Sequence, residues 1–168
     1  MEASIRPATP DDARAITEVN IATWRTAYRG IVPDAHLDDL HLDFDKRVER
    51  IREWICSPRT CCVACLDEKV VGFATAGPTR KPQPGYPTEL YAIYLIETAQ
   101  GRGLGRQLVE HIRTDLNARG IGTFWVSVFE QNHSARAFYE RLGGTLLPET
   151  SIRTLAGKDL HEVAYGWK

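Results

Sequence analysis

The sequence predicts a mixed α/β (α+β) fold, and three observations predict it. The hydrophobic period is helical from about residue 9 to residue 56 and strand-like from residue 60. From residue 88 onward, strand-like and helix-like runs alternate. A glycine-rich turn, Gln100-Gly101-Arg102-Gly103-Leu104-Gly105-Arg106, joins one of these strands to the helix after it. The 168 residues suit one domain, residues 1–168, with one sizeable core.

The elements follow in order. Ser4 to Ala8 reads as a short strand. Thr9-Pro10-Asp11-Asp12 then reads as a helix start, with Thr9 at the N-cap, Pro10 at the first helical position and two carboxylates in the first turn. Ala13, Ile16, Val19, Ile21 and Trp24 keep a helical spacing toward Tyr28, and Gly30 and Pro33 end that helix. Asp34 to Leu40 is a second short helix. The stripe Phe44, Val48, Ile51, Trp54 and Ile55 makes Asp43 to Cys56 a third. Thr60 to Leu66 and Val70 to Ala76 form a hairpin across Asp67-Glu68-Lys69. Gly77 to Pro87, with its prolines, is a loop. Thr88 to Ile96 is a strand, and Leu104, Leu108, Ile112 and Leu116 mark a helix stopped by Gly120. Thr123 to Phe129 is a strand and Ser134 to Leu142 a helix. Thr145 to Leu155 and Leu160 to Trp167 make a last hairpin, turning at Ala156-Gly157-Lys158.

Composition excludes several functions. Lysine and arginine total 21 and aspartate and glutamate 22, so no basic excess points to nucleic acid. No apolar run approaches the about 20 residues that span a bilayer, so no membrane association is expected. The N-terminus lacks a basic segment followed by an apolar stretch, and a cytoplasmic location is the expectation. Cys62 and Cys65 form a CxxC within a predicted strand. Their side chains then face opposite ways and are poorly placed to share a metal. The four cysteines, Cys56, Cys61, Cys62 and Cys65, read as inert thiols, and no metal is expected.

The glycine-rich turn carries the chemistry. Glycines let backbone approach a ligand closely. The next helix's N-terminal N–H groups and positive dipole end suit a pyrophosphate, with Arg102 and Arg106 adding charge. A dinucleotide fingerprint beginning at Gly101 would need glycine where Arg106 stands, and no GK[ST] ending makes a P-loop.

Gln100-x-x-Gly103-x-Gly105 resembles the Q/R-x-x-G-x-G/A signature of the GNAT acetyltransferase superfamily. Asn132-His133-Ser134-Ala135-Arg136-Ala137-Phe138-Tyr139-Glu140-Arg141-Leu142-Gly143 resembles that family's second segment, N-x-x-A-x-x-F-Y-E-x-L-G. Ile5-Arg6-Pro7-Ala8 and the final hairpin also fit. The resemblance implies the GNAT fold: a mixed, mostly antiparallel sheet of about seven strands flanked by helices, with a splayed acetyl-CoA cleft. It implies acetyl transfer from acetyl-CoA, as co-substrate and without a metal, to a primary amine of a small molecule or peptide.

By the same resemblance, Ile93, Tyr94 and Leu95 pair with the pantetheine arm and supply an N–H that polarises the thioester. The loop Gly101 to Arg106, including Leu104, holds the pyrophosphate, and Gln100 belongs to the same cofactor-binding segment. Asn132 binds the pantetheine arm, Ala135 and Phe138 belong to the same cofactor-binding segment, and Tyr139 protonates the departing thiolate. Many members form dimers, which leaves a homodimer open. A non-catalytic acyl-CoA-binding or partner-binding module on this fold is the alternative; retention of Tyr139 with Glu89 favours an enzyme.

The acceptor amine must lose a proton before it attacks. Glu89 lies eleven residues before Gln100, the spacing at which the family's histone-acetylating branch carries its base. It reads either as that base or as a solvated or salt-bridged strand carboxylate. The branch that acetylates ribosomal-protein N-termini has a glutamate five residues before the motif asparagine, where this chain has Ser127. Glu130 is a weaker candidate base, and His133 reads as a structural residue at a helix start. Trp24 and Tyr28 read either as core or as walls of the acceptor pocket. Asp34, Asp38, Asp39, Asp43 and Asp45 crowd one segment. They read either as a solvated face or as an acidic rim that attracts a polyamine.

Overall fold

A computed structural model describes residues 2–168. Its strands are β1 (Ala3–Pro7), β2 (Thr60–Leu66), β3 (Lys69–Pro78), β4 (Thr88–Leu95), β5 (Phe124–Phe129), β6 (Thr145–Leu155) and β7 (Lys158–Trp167). They form one sheet in the order β1-β2-β3-β4-β5-β7-β6. Every neighbouring pair is antiparallel except β4 and β5. The last hairpin therefore folds back with β7 against β5, which leaves β6 at the edge.

Among the described residues, five α-helices flank the sheet: α1 (Ala13–Ala27), α2 (Asp34–Asp38), α3 (Phe44–Ile55), α4 (Leu104–Ala118) and α5 (His133–Arg141). The start of α1 differs from expectation. Pro10–Asp12 is a separate 3-10 turn, because Asp12 folds back to accept the Thr9 N–H at 2.7 Å and pairs with Arg6 at 2.7 Å. Within α1, the buried Thr17 and Thr23 hydroxyls donate to Ala13 O and Val19 O, so no polar atom there is orphaned.

Strand alternation sorts the core onto the two faces. On one face α1 and α3 bring Ile16, Val19, Val48 and Ile51 onto Val63, Cys65 and Phe73. On the other, α4 lays Leu104, Leu108, Ile112 and Leu116 onto Cys62, Ala64, Ala74 and Val126. Cys62 and Cys65 thus point into different layers, and burial pushes the Cys61 and Cys62 thiols up to about 12. A third cluster joins the end of α1 to the sheet: Ile21, Tyr28, Leu37, Leu40, Phe129 and Leu160.

One irregularity matters for the site. In the β3–β4 ladder Thr75 pairs with Ala92 and Ala76 with Leu90, so Tyr91 is an extra, bulged residue. The bulge resets the alternation of β4. Leu90 and then Ile93 and Leu95 face α4, whereas Ala92 and Tyr94 face α1. Glu89, ahead of Leu90, faces the α1 side as well.

Candidate active site

Among the described residues, β4 and β5 pair at Glu89 and Trp125 alone and then separate. Beyond that pair, the backbone groups of β4 that point toward β5 have no ladder partner from Leu90 to Leu95. The gap is a cleft of about 1070 Å³, and it passes through the sheet. Val126 and Val128, which face α4, line it together with Ser127 and Phe129, which face α1. Ile93, Tyr94 and Leu95 line it from the β4 side.

The α4 side of the cleft has the shape of an anion cradle. Gly101 and Gly103 take φ of 72° and 78°, the left-handed region that glycine adopts without strain. Gly103 is the N-cap of α4, and no side chain caps that end, so the first-turn N–H groups are available. Gly105 serves close packing instead. A Cβ there would lie 3.2 Å from the Phe138 ring and 3.4 Å from Leu95. Gln100 stays at the loop's entry by donating from Nε2 to Leu95 O at 3.1 Å. Gln100, Gly101, Gly103, Leu104, Gly105 and Arg106 all line the cleft. Arg102 does not: it is exposed outside the cleft lining. Arg141, at the end of α5, lines the cleft in its place. These features fit a pyrophosphate.

Asn132 is the N-cap of α5. Its Oδ1 accepts the Ala135 N–H at 3.2 Å, which leaves the side-chain amide free to donate into the cleft. Ala135 and Phe138 line the same wall. Tyr139 follows, 6% exposed, with its ring packed on Phe138, Tyr165 and Trp167 at centroid distances of 5.5, 6.0 and 5.9 Å. Burial holds its phenol well above the ordinary tyrosine range, so it is protonated at any working pH.

The α1 side holds the second half. Glu89 is 2% exposed and lines the cleft. Its Oε2 accepts the Arg80 backbone N–H at 3.0 Å and Nε at 3.2 Å, and its Oε1 accepts Arg80 Nη2 at 2.7 Å. A carboxylate offers about four acceptor sites, so one on Oε1 remains open. Glu89 is therefore both cleft-lining and salt-bridged, and it is not solvated. Tyr28 is buried against the cleft and shares a hydrogen bond with Tyr94 at 3.0 Å between hydroxyls. Burial raises the Tyr28 phenol well above its usual range.

Several expectations change here. Trp24 does not line the cleft. It packs edge-on against Tyr28 at 4.8 Å and lies beneath the Arg153 guanidinium at 5.5 Å. Glu130 is exposed outside the cleft, and its carbonyl accepts from Arg136. His133 also lies outside. None of Asp34, Asp38, Asp39, Asp43 and Asp45 lines the cleft. Asp34 and Asp38 pair instead with Arg29, at 3.0 and 3.4 Å. The acidic run is a solvated face.

Sequence reasoning missed Arg80, Lys81, Arg153 and Glu162, which all line the cleft. Glu162 is 6% exposed, and its Oε2 accepts from Lys81 Nζ and Ser151 Oγ, each at 2.9 Å. Burial pushes its carboxyl up, but these two hydrogen bonds outweigh that and hold it below the usual carboxylate range. One signal was available. Glu162 alternates in phase with Leu160 and Ala164, so a charge stands at an inward position of a strand.

Comparison with known proteins gives the family and the fold. The model of the acetyltransferase (GNAT) family matches residues 21–144. The uncharacterised N-acetyltransferase YuaI of Bacillus subtilis is 35% identical over 167 residues, covering 98% of this chain and 92% of the relative. Two solved structures share the fold. The PaiA N-acetyltransferase of Thermoplasma acidophilum, in complex with coenzyme A, has a TM-score of 0.74 at 20% identity and covers 100% of this chain and 99% of that one. YncA of Salmonella typhimurium, solved with acetyl-CoA, has a TM-score of 0.74 at 20% identity and covers 100% and 94%. With a family model over most of its length and a relative similar from end to end, the chain belongs to the GNAT family of acetyltransferases.

Proposed function

We propose that the chain transfers the acetyl group of acetyl-CoA to a primary amine by direct attack in a ternary complex. The observation that carries this reading is the gap between β4 and β5. It opens on both faces of the sheet, with an anion cradle and Tyr139 on one side and Glu89 on the other. Two substrates can enter from opposite faces and meet in the gap.

Acetyl-CoA supplies an acetyl group activated as a thioester. The N–H groups of Gly101 to Arg106 hold its pyrophosphate, with charge from Arg106 and Arg141. The unpaired edge of β4 aligns the pantetheine arm, and the Asn132 amide donates to it. An N–H of that edge faces the thioester oxygen and stabilises the charge that develops there. Tyr139, kept neutral by burial, donates its proton to the departing sulfur.

On the other face, Glu89 takes the amine proton through its open Oε1 site, directly or through a water. A lysine-type ammonium has a pKa of about 10.4 and an α-ammonium about 8, so most of either arrives protonated at pH 7. Tyr28 closes the wall of the acceptor pocket.

The test is thiol release from acetyl-CoA with a panel of primary amines, and mass spectrometry of the products. Acetylated amine with stoichiometric thiol is the expected result. Acetyl-CoA binding without transfer to any amine would instead support a binding module.

A further inference from the structure

The acceptor half of the cleft has a charge imbalance that bears on its substrate. Three cations line it, Arg80, Lys81 and Arg153, with two buried carboxylates, Glu89 and Glu162. Arg80 pairs with Glu89 at 2.7 Å and Lys81 with Glu162 at 2.9 Å. Among the described residues Arg153 has no ion-pair partner. One positive charge is left over on the cleft wall, and the acidic segment that might have offset it lies outside.

Arg153 is held in place without being neutralised. It pairs in register with Leu160, which packs with Tyr28 and Phe129 on the α1 side of the sheet. Its guanidinium lies 5.5 Å from the centroid of the Trp24 ring. The cation–π contact holds the guanidinium over the ring, and its edge N–H groups remain to bind a ligand. That edge matches the two oxygens of a carboxylate or phosphate.

We infer that the acceptor is an amine that also carries an anionic group, a carboxylate or a phosphate, which Arg153 binds while the amine faces Glu89. This rests on the acetyltransferase reading above. A polyamine would add positive charge to a wall that already has an excess, whereas an anionic group cancels it. The excess also favours the neutral, nucleophilic form of the amine.

The experiment uses matched substrates: 4-aminobutyrate against butylamine, O-phosphoethanolamine against ethylamine, and spermidine. Wild type is expected to favour the anion-bearing member of at least one pair by about 10- to 100-fold in kcat/KM, as for a charge-assisted hydrogen bond. The pair that responds identifies carboxylate or phosphate. Arg153→Gln should remove that preference and change the neutral amines by only a few-fold. Arg153→Lys, which keeps the charge but loses the fork, should restore it in part. Stabilisation by acetyl-CoA, bound on the other face, should persist in both variants and report that they fold. A wild type that prefers spermidine or the neutral amines overturns the inference and leaves acetyl transfer standing. So does an Arg153→Gln effect equal across each pair. No turnover with any amine overturns the acetyltransferase reading and this inference with it.

Discussion

Replacing Tyr139 with phenylalanine removes one oxygen atom from the cleft and keeps the ring. The ring is what the core uses: it packs on Phe138, Tyr165 and Trp167 at centroid distances of 5.5 to 6.0 Å. Its hydroxyl makes no hydrogen bond with the described residues, so no partner is left unsatisfied by its removal. The fold should therefore lose at most about 1 kcal/mol. For a chain of this size that is a fall of about 2–4 °C in Tm. The chemical step should lose far more. A positioned general acid contributes about 10²- to 10⁴-fold, or about 2.7–5.4 kcal/mol of barrier. The assay is steady-state thiol release with a saturating amine, beside a thermal melt with and without acetyl-CoA. The expected outcome is a kcat reduced by that factor, with stabilisation by acetyl-CoA intact. An unchanged kcat would refute the assignment and mean that water protonates the sulfur. A large loss of both kcat and Tm would mean that the hydroxyl serves the core.

Glu89→Gln should slow the reaction most near neutral pH and least at high pH, where free amine is already present; a loss uniform across pH would indicate positioning instead. The same change turns an amide N–H₂ toward Arg80 and should destabilise the fold by about 1–3 kcal/mol, read by denaturant titration. Acetyl-CoA at a hundred times its Kd should stabilise wild type by about 2.7 kcal/mol. Gly103→Glu should abolish this shift, because a carboxylate on the loop repels phosphate and a side chain at φ 78° is strained. Equal shifts would remove the phosphate assignment. Alkaline unfolding tests the buried phenols. Tyr28 and Tyr139 have raised pKa values, so above about pH 10 the unfolded chain releases protons that the folded chain keeps. Stability should be flat in this respect below pH 10 and fall above it, by up to about 1.4 kcal/mol per pH unit for each phenol. Tyr139→Phe should reduce that slope by one phenol's share.

Much of the fold and half of the site were legible in the sequence, because they rest on local rules. Helix stripes, strand alternation and turn glycines depend on neighbours within a few residues, and the helices and strands fall where those patterns put them, apart from the 3-10 turns at Pro10–Asp12 and Asp39–His41 that replace expected α-helix. The cofactor side is equally local. The left-handed Gly101 and Gly103, the uncapped start of α4 and the N-cap Asn132 lie in two continuous segments, each readable as a motif. The α1 side of the cleft was not legible in this way. It is assembled from α1, the loop after β3, β4 and the last hairpin, and only β7 folding back against β5 brings Arg153 and Glu162 beside Glu89. The bulge at Tyr91 is equally hidden, since it depends on how two strands pair, yet it places Glu89 and Tyr94 on one face. Charge misled for the same reason. The aspartates crowd the sequence but turn to solvent and Arg29, while the cations that line the cleft are scattered along the chain. Sequence neighbours determine local backbone, and so they determined the cradle. Which charges face each other across a cleft is decided by contacts between distant segments, and these exist only once the sheet has formed.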